Sequence, residues 1–269
     1  MSNTTSHHSL TFDHMEDGAY RNAKGLSKSL LTHFLKSPAH YQQALLDKHE
    51  PTPAMQFGTA FHASLLLSDP TTAFAVKRKV DGRTKEGKEY NQRFEMENAG
   101  KAIIDEEQEK MMQSCIASIL EHPFAGQLHS GCDKKEFSVF GSYSGKSVQP
   151  VLLKGRMDAY DSTNGFIIDY KTCEDASPAG FRKAVWNFRY DLQVVQYAWL
   201  IKNAGLKFSN FYFIAVEKSA PFASAVYCID EASIKRSVET WEQAMFEFSQ
   251  CEASGIWPAY SATPVAIQL

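Results

Sequence analysis

Between Lys154 and Thr172 the chain reads KGRMDAYDSTNGFIIDYKT, and three of its side chains could do chemistry together. Asp158 stands late in one apolar run, and Asp169 and Lys171 close the next. Residues two apart on a strand share a face, so Asp169 and Lys171 point the same way. If the two runs pair as antiparallel strands, Asp158 can face Asp169 across the pair. Two carboxylates and one ammonium converging on a strand edge suit metal-dependent phosphodiester cleavage. Carboxylates are hard oxygen ligands for Mg²⁺, for which Mn²⁺ can substitute. The ion polarises a phosphoryl group and lowers the pKa of a bound water. The lysine can orient or deprotonate that water and offset phosphate charge. The Tyr170 carbonyl is available as an added oxygen ligand. Taken alone, an Asp-x-Lys far more often marks a hairpin with a surface ion pair.

The elements that must position these residues are legible around them. Val151-Leu152-Leu153, continuing through Met157 and Ala159, and then Phe166-Ile167-Ile168 flank Asp161-Ser162-Thr163-Asn164-Gly165, which predicts a β-hairpin. Upstream, helices are predicted from Ser27, a candidate N-cap, to Leu35, over Ala39 to Leu46 and over Ala54 to Leu67, the last carrying His62 among apolar neighbours. Asp105 to Glu121 is amphipathic and helical, and Lys135 to Phe140 alternates as a strand. On that strand Glu136 fits an edge ion pair better than a further metal ligand. Tyr190 to Asn203 is a helix on which Gln193 and Tyr197, at i and i+4, share a face. Phe208 to Val216 and Ala223 to Ile229 are near-continuously apolar and predict interior strands. Glu231 to Cys251 is a long amphipathic helix.

Several motifs fall in a telling order. Gly58 and His62 lie in GTAFHASLL, then come Gly155-Arg156-Met157-Asp158, the Asp-x-Lys, and Gln193 with Tyr197 in DLQVVQYAWL. This order resembles the RecB-like branch of the PD-(D/E)xK nuclease superfamily. The phrases GLSKSLLTHFLKSPAHY, GRTKEGKEY and LKGRMDAY resemble RecE-type exonucleases (the exonuclease VIII catalytic domain) in particular, and the likeness runs from about Gly25 to about Pro258. It implies an α/β, restriction-endonuclease-like core with a central mixed β-sheet flanked by helices on both faces. It implies a metal-proximal role for His62, and orientation of the scissile strand by Gln193, Tyr197 and Arg156. It implies DNA contact by Ser27 and by Arg83, Lys85 and Lys88 of a two-glycine basic loop. Functionally it implies a Mg²⁺-dependent, processive 5′-to-3′ exonuclease on linear double-stranded DNA. Such an enzyme leaves 3′ single-stranded tails for recombination, works as a ring-shaped homotetramer and has a single-strand annealing protein as partner. A structure-specific or restriction-like endonuclease of the same fold is the alternative, and a non-catalytic DNA-binding module a further one. Some RecB-like nucleases hold an iron–sulfur cluster on four cysteines. Here Ser37 stands where one thiol is expected, and of the five cysteines only Cys251 lies near the end, so no cluster is expected.

Composition sets the outer bounds. With 269 residues, 43% hydrophobic and 22% charged, the chain can build a normal core. The expected division is a flexible arm over 1–24 and a single nuclease domain over 25–269. No apolar run approaches the ~20 residues of a membrane span. The opening MSNTTSHHSLTFDHMEDG is polar, so secretion is not expected and a cytoplasmic location is. The cysteines are odd in number and form no C-x-x-C, which supports neither a disulfide framework nor a zinc site. A net charge of −3 means that a polyanion must meet a local basic surface. The most basic stretch is Lys77 to Arg93. A closed ring would supply processivity through topology instead of surface charge.

Overall fold

The computed structural model describes residues 9–47 and 50–260. The amino-terminal part runs β1 (Leu10–Phe12), α1 (Asp17–Asn22), α2 (Lys28–Lys36), α3 (Pro38–Leu46) and α4 (Pro53–Leu66). There follow β2 (Phe74–Lys77), α5 (Lys85–Glu97), β3 (Ala102–Asp105), α6 (Glu106–Glu121) and α7 (Pro123–Gly131). The remainder is β4 (Lys134–Tyr143), β5 (Val151–Asp161), β6 (Phe166–Cys173), α8 (Pro178–Phe188), α9 (Tyr190–Asn203), β7 (Asn210–Glu217), β8 (Ser224–Tyr227) and α10 (Glu231–Ser254).

Six strands form one mixed sheet in the order β1-β4-β5-β6-β7-β8, and β2 and β3 pair separately. Only β6 and β7 run parallel in the large sheet, joined by the α8–α9 crossover; its other pairs are antiparallel. Side-chain alternation divides the core between two faces. Ile167, Phe211, Phe213 and Ala215 face Leu192, Leu200, Trp241 and Met245 of α9 and α10. Ile168, Tyr170, Ile214 and Val216 face Phe61, Met112, Cys115 and Ile119 of α4 and α6. This is the expected α/β architecture with helices on both faces. No helix among the described residues is long and apolar enough to cross a membrane.

Two expectations change. Ala223 to Ile229 was read as an interior strand, but β8 is the sheet's outer strand and only half-buried. The apolar run fits because Val226 and Tyr227 still pack inward against helices. Residues 10–22, assigned to a loose arm, instead form β1 and α1; residues 1–8 lie outside the described residues. The physical reason is Lys154, 5% exposed on β5. Its ammonium donates to the carbonyls of Tyr20 (2.9 Å), Arg21 (3.1 Å) and Ala23 (2.7 Å). The Arg21 and Ala23 carbonyls lie past the last capping bond of α1, which the Ala23 N–H gives to Ala19 and Tyr20, and a cation there also complements the helix dipole. Burial, then the neighbouring Arg156, lowers the ammonium's pKa, so the carbonyls must hold the charge. Just downstream, Leu26 adds a parallel bridge to Leu153, and the buried Gln196 amide donates to Leu26 O (2.9 Å) and Lys154 O (3.1 Å). Lys154→Met is expected to cost about 2 kcal/mol of stability and to speed tryptic cleavage at Arg21 and Lys24. An unchanged digestion pattern would show that α1 is held by other contacts.

Candidate active site

The site forms where the sheet splits. The β5–β6 ladder holds only over Ala159↔Ile168, Tyr160↔Ile167 and Asp161↔Phe166. Beyond it the next opposed residues are Asp158 and Asp169, and the strands part there. Backbone groups of Tyr170 that would continue the ladder must find other partners. Its N–H donates to Asp158 Oδ2 at 2.8 Å. Its carbonyl lies 3.0 Å from His62 Nε2 of α4. A carbonyl only accepts, so this contact places the proton on Nε2. His62 Nε2 is also 3.7 Å from Asp158 Oδ2. The divergence thus gathers Asp158, His62 and the Tyr170 carbonyl into one pocket edge.

On the other side Lys171 Nζ lies 2.6 Å from Asp169 Oδ2. The side chain of Asp169 is only 4% exposed, and Gln193 Nε2 of α9 donates to its Oδ1. The buried Asp169 carboxylate is thus held by Lys171 on one oxygen and Gln193 on the other. The Lys171 ammonium also sits over the Tyr190 ring, 4.8 Å from its centroid. Burial works to depress the Lys171 pKa, but Asp169 and then Asp158 outweigh it and hold the ammonium above its ordinary range. Lys28 of α2 approaches the same ring at 5.1 Å and donates to Phe188 O at 2.5 Å. Burial first, and repulsion from Lys171 second, bring its pKa down to about 8.

Glu136 belongs to this cluster. The β4–β5 ladder skips the Glu136–Asp158 position, and Glu136 takes the left-handed conformation at φ 49°. For a side chain other than glycine this costs on the order of 1–3 kcal/mol, and such strain gathers at functional sites. Burial first, and repulsion from Asp158 second, push the Glu136 carboxyl up to about 7. Its folded-state pKa therefore lies above its unfolded value of 4.5. Stability contributed by the protonated form is present below 4.5 and is lost as pH rises toward about 7. Glu136→Gln is accordingly expected to gain on the order of 2 kcal/mol near neutrality. It should also flatten the decline of the melting temperature between acid and neutral pH. A variant melting below wild type at pH 7.5 would contradict this.

The other expected residues are placed elsewhere. Arg156 was expected on the scissile strand, yet its guanidinium is taken by the N-terminal segment. It donates to Met15 O (2.9 Å) and Asp17 Oδ1 (3.1 Å), reaches Glu136 Oε2 (3.4 Å) and lies over the Tyr20 ring at 4.1 Å. Tyr197 was expected beside it. It is buried against Gly155, where an added Cβ would come within 2.8 Å of its ring, so it seats α9 on β5. Gln193, expected on the scissile strand, donates to Asp169. Ser27 caps α2, its hydroxyl accepting from Leu30 N at 3.3 Å. The two-glycine loop is shorter than expected. Thr84 caps α5, so Gly87 lies in the first helical turn, where a Cβ would come 2.0 Å from Asp81 O. Arg83 pairs with Asp81 at 3.1 Å, Lys85 lies 3.9 Å from Glu89, and Lys88 is exposed.

Sequence reasoning assigned Glu136 the weaker role and did not single out Lys154. A lysine inside VLLKG was the available signal for the second; no residue pattern announces a left-handed glutamate.

The donor set suits a hard divalent cation. Asp158 and Asp169 offer carboxylate oxygens, and the Tyr170 carbonyl adds another. Among the described residues no three His, Cys, Asp or Glu side chains form a ready-made metal cage. Mg²⁺ needs none, since it keeps several waters and takes one or two carboxylates. The five cysteines are all unbridged.

The profile of a family described as a PDDEXK-like domain of unknown function (DUF3799) matches residues 27–265. No curated protein matches the chain. A candidate exonuclease from Eubacterium rectale is similar in structure, with a TM-score of 0.63 at 14% identity, over 94% of this chain and 96% of its own. A phage-related exonuclease from Haemophilus somnus 129PT gives a TM-score of 0.33 at 13% identity, over 64% of this chain and 84% of its own. The split sheet, its acidic mouth and the lysine lie within the matched span, and the chain belongs to this PDDEXK-like domain family of the PD-(D/E)xK superfamily.

Proposed function

We propose that the protein is a metal-dependent phosphodiester hydrolase, an exodeoxyribonuclease that digests linear double-stranded DNA. The observation that carries this is the parting of β5 and β6, which brings Asp158, Asp169, Lys171 and His62 to one opening. Asp158, Asp169 and the Tyr170 carbonyl would hold Mg²⁺, with His62 beside them. Bound there, the ion supplies Lewis-acid polarisation of the phosphoryl group and a water of lowered pKa. The chain's own groups do the rest. Lys171, held cationic by the two carboxylates, offsets charge gathering on phosphate and orients the attacking water. Because that ammonium already carries its proton, it serves as a cation and donor and not as the resting base. Gln193 fixes Asp169, and the His62 hydrogen bond fixes the Tyr170 carbonyl.

The finer reading draws on the RecE-type resemblance. It comprises 5′-to-3′ processive digestion in the cytoplasm, 3′ tails for recombination, a ring tetramer and a single-strand annealing partner. Incubation with Mg²⁺ of end-labelled linear duplex, and separately of covalently closed circular DNA, tests the proposal. Release of nucleotides from the linear form with the circle intact is expected. Nicking of the circle would favour the endonuclease alternative, and no release from any substrate would leave only a DNA-binding module. Gel filtration at a purely monomeric volume would remove the ring.

A further inference from the structure

The site's opening continues into an exposed aromatic surface that the cleavage chemistry leaves unused. Helix α8 presents Trp186 at 80% and Phe188 at 57% exposure. A large ring in water is costly, and adjacent exposed apolar groups mark contact sites. Phe188 is physically continuous with the site, while Trp186, two residues earlier, leaves the helix on a different side. Helices α8 and α9 are joined through Arg189 alone, in the left-handed conformation at φ 52°. This tight junction lays Phe188 on Tyr190, with ring centroids 5.6 Å apart and planes 24° apart. The same Tyr190 ring lies under Lys171 at 4.8 Å and under Lys28 at 5.1 Å.

The surrounding charge selects the occupant. Helix α8 reads PAGFRKAVWNF and contains no acidic residue. Arg182 and Lys183 are exposed, and at i−4 and i−3 from Trp186 they share its face. Exposed rings interleaved with cations suit a single nucleic-acid strand: bases stack on the rings while cations follow the phosphates. A second copy of this chain would bring the same Arg182 and Lys183 on its own α8, so a symmetric contact through this surface sets like charges against each other.

Taking the chain as the nuclease proposed above, we propose that Phe188 and Trp186 form a base-stacking platform of two successive positions, Phe188 beside the site and Trp186 farther along the strand's path round the end of α8. It would grip unpaired bases of the DNA strand entering or leaving the site, so the substrate at the catalytic lysine is an unpaired strand end and not continuous duplex. In this arrangement Arg182 and Lys183 hold the phosphates of the stacked nucleotides, and Tyr190 links the platform to Lys171.

Fluorescence anisotropy with a labelled single-stranded oligodeoxynucleotide in EDTA tests this without cleavage. Trp186→Ala and Phe188→Ala are each expected to weaken binding by about 10-fold. Trp186→Phe, which keeps a ring, should stay within about 2-fold of wild type. An abasic strand of equal length should weaken wild type beyond the level of either single variant and leave only the double variant Trp186→Ala, Phe188→Ala unchanged. Circular dichroism should be the same for all of them, since both side chains are exposed. Variants that bind like wild type, while wild type digests linear duplex, would overturn the platform and leave the nuclease reading standing. A wild type that neither binds strand nor digests duplex would remove both. If Trp186→Ala dissociated an oligomer with strand affinity unchanged, the surface would belong to a second copy and the proposal would be wrong.

Discussion

Lys171→Ala is expected to lower the rate of duplex digestion by about 10²–10⁴-fold. The ammonium lies 2.6 Å from Asp169 Oδ2, and both carboxylates that the strand divergence exposes hold it above its ordinary range. Two neighbouring cations are held elsewhere: Lys28 by Phe188 O, and Arg156 by Met15, Asp17 and Glu136. The same substitution removes one member of a largely buried ion pair and leaves a carboxylate 4% exposed with only Gln193 to serve it. Removing one partner of a buried pair typically costs about 3–5 kcal/mol. Loss of activity alone is therefore ambiguous, and the double variant Lys171→Ala, Asp169→Asn separates the effects. It should recover most of the melting temperature and none of the turnover. A Lys171→Ala protein that digests duplex at the wild-type rate would remove the role assigned to this lysine.

Asp158→Asn should move activity and stability in opposite directions. Asparagine keeps the shape and an oxygen to accept from Tyr170 N, now 2.8 Å from Asp158 Oδ2. What disappears is the charge. Burial raises the Asp158 carboxyl pKa, His62 works against that rise, and repulsion from Asp169 adds to it. A carboxyl whose folded pKa exceeds its unfolded value favours the fold while protonated. That contribution is present below 3.8 and is lost as pH climbs through the raised value. At neutral pH the charged form is thus a burden that the variant lacks. A gain of about 1 kcal/mol is expected for the metal-free protein, read as a higher melting temperature in EDTA. Digestion should fall at least about 100-fold, because a hard anionic ligand for the activating cation is gone. Calorimetric Mg²⁺ titration should show weaker binding in parallel. A variant that is both less stable and fully active would contradict the assignment.

Much of this was legible from residue order because the relevant physics is local. Alternation and turn chemistry mark β5 and β6 whatever surrounds them, and the two-residue period puts Asp169 and Lys171 on one face. Helical spacing delivers Gln193 to the sheet, and the helix bearing His62 is apolar enough to lie against it. The order of these motifs sufficed to name a superfamily, which the profile match over residues 27–265 supports.

What only the tertiary structure decided is which charges are free. In sequence, Arg156 looks like a DNA ligand and residues 10–22 like a loose arm; folded, each occupies the other through the Arg156 and Lys154 contacts. Glu136 changes from an edge residue to part of an acidic cluster because its backbone enters the left-handed region beside Asp158. The exposed rings of α8 become meaningful only once the Arg189 turn sets Phe188 on Tyr190, next to Lys171. Strand and helix patterns depend on neighbours a few residues away and can be read along the chain. Desolvation and ion pairing depend on neighbours more than a hundred residues away, such as Tyr20 for Lys154 and His62 for Tyr170, and exist only when the sheet has closed around them.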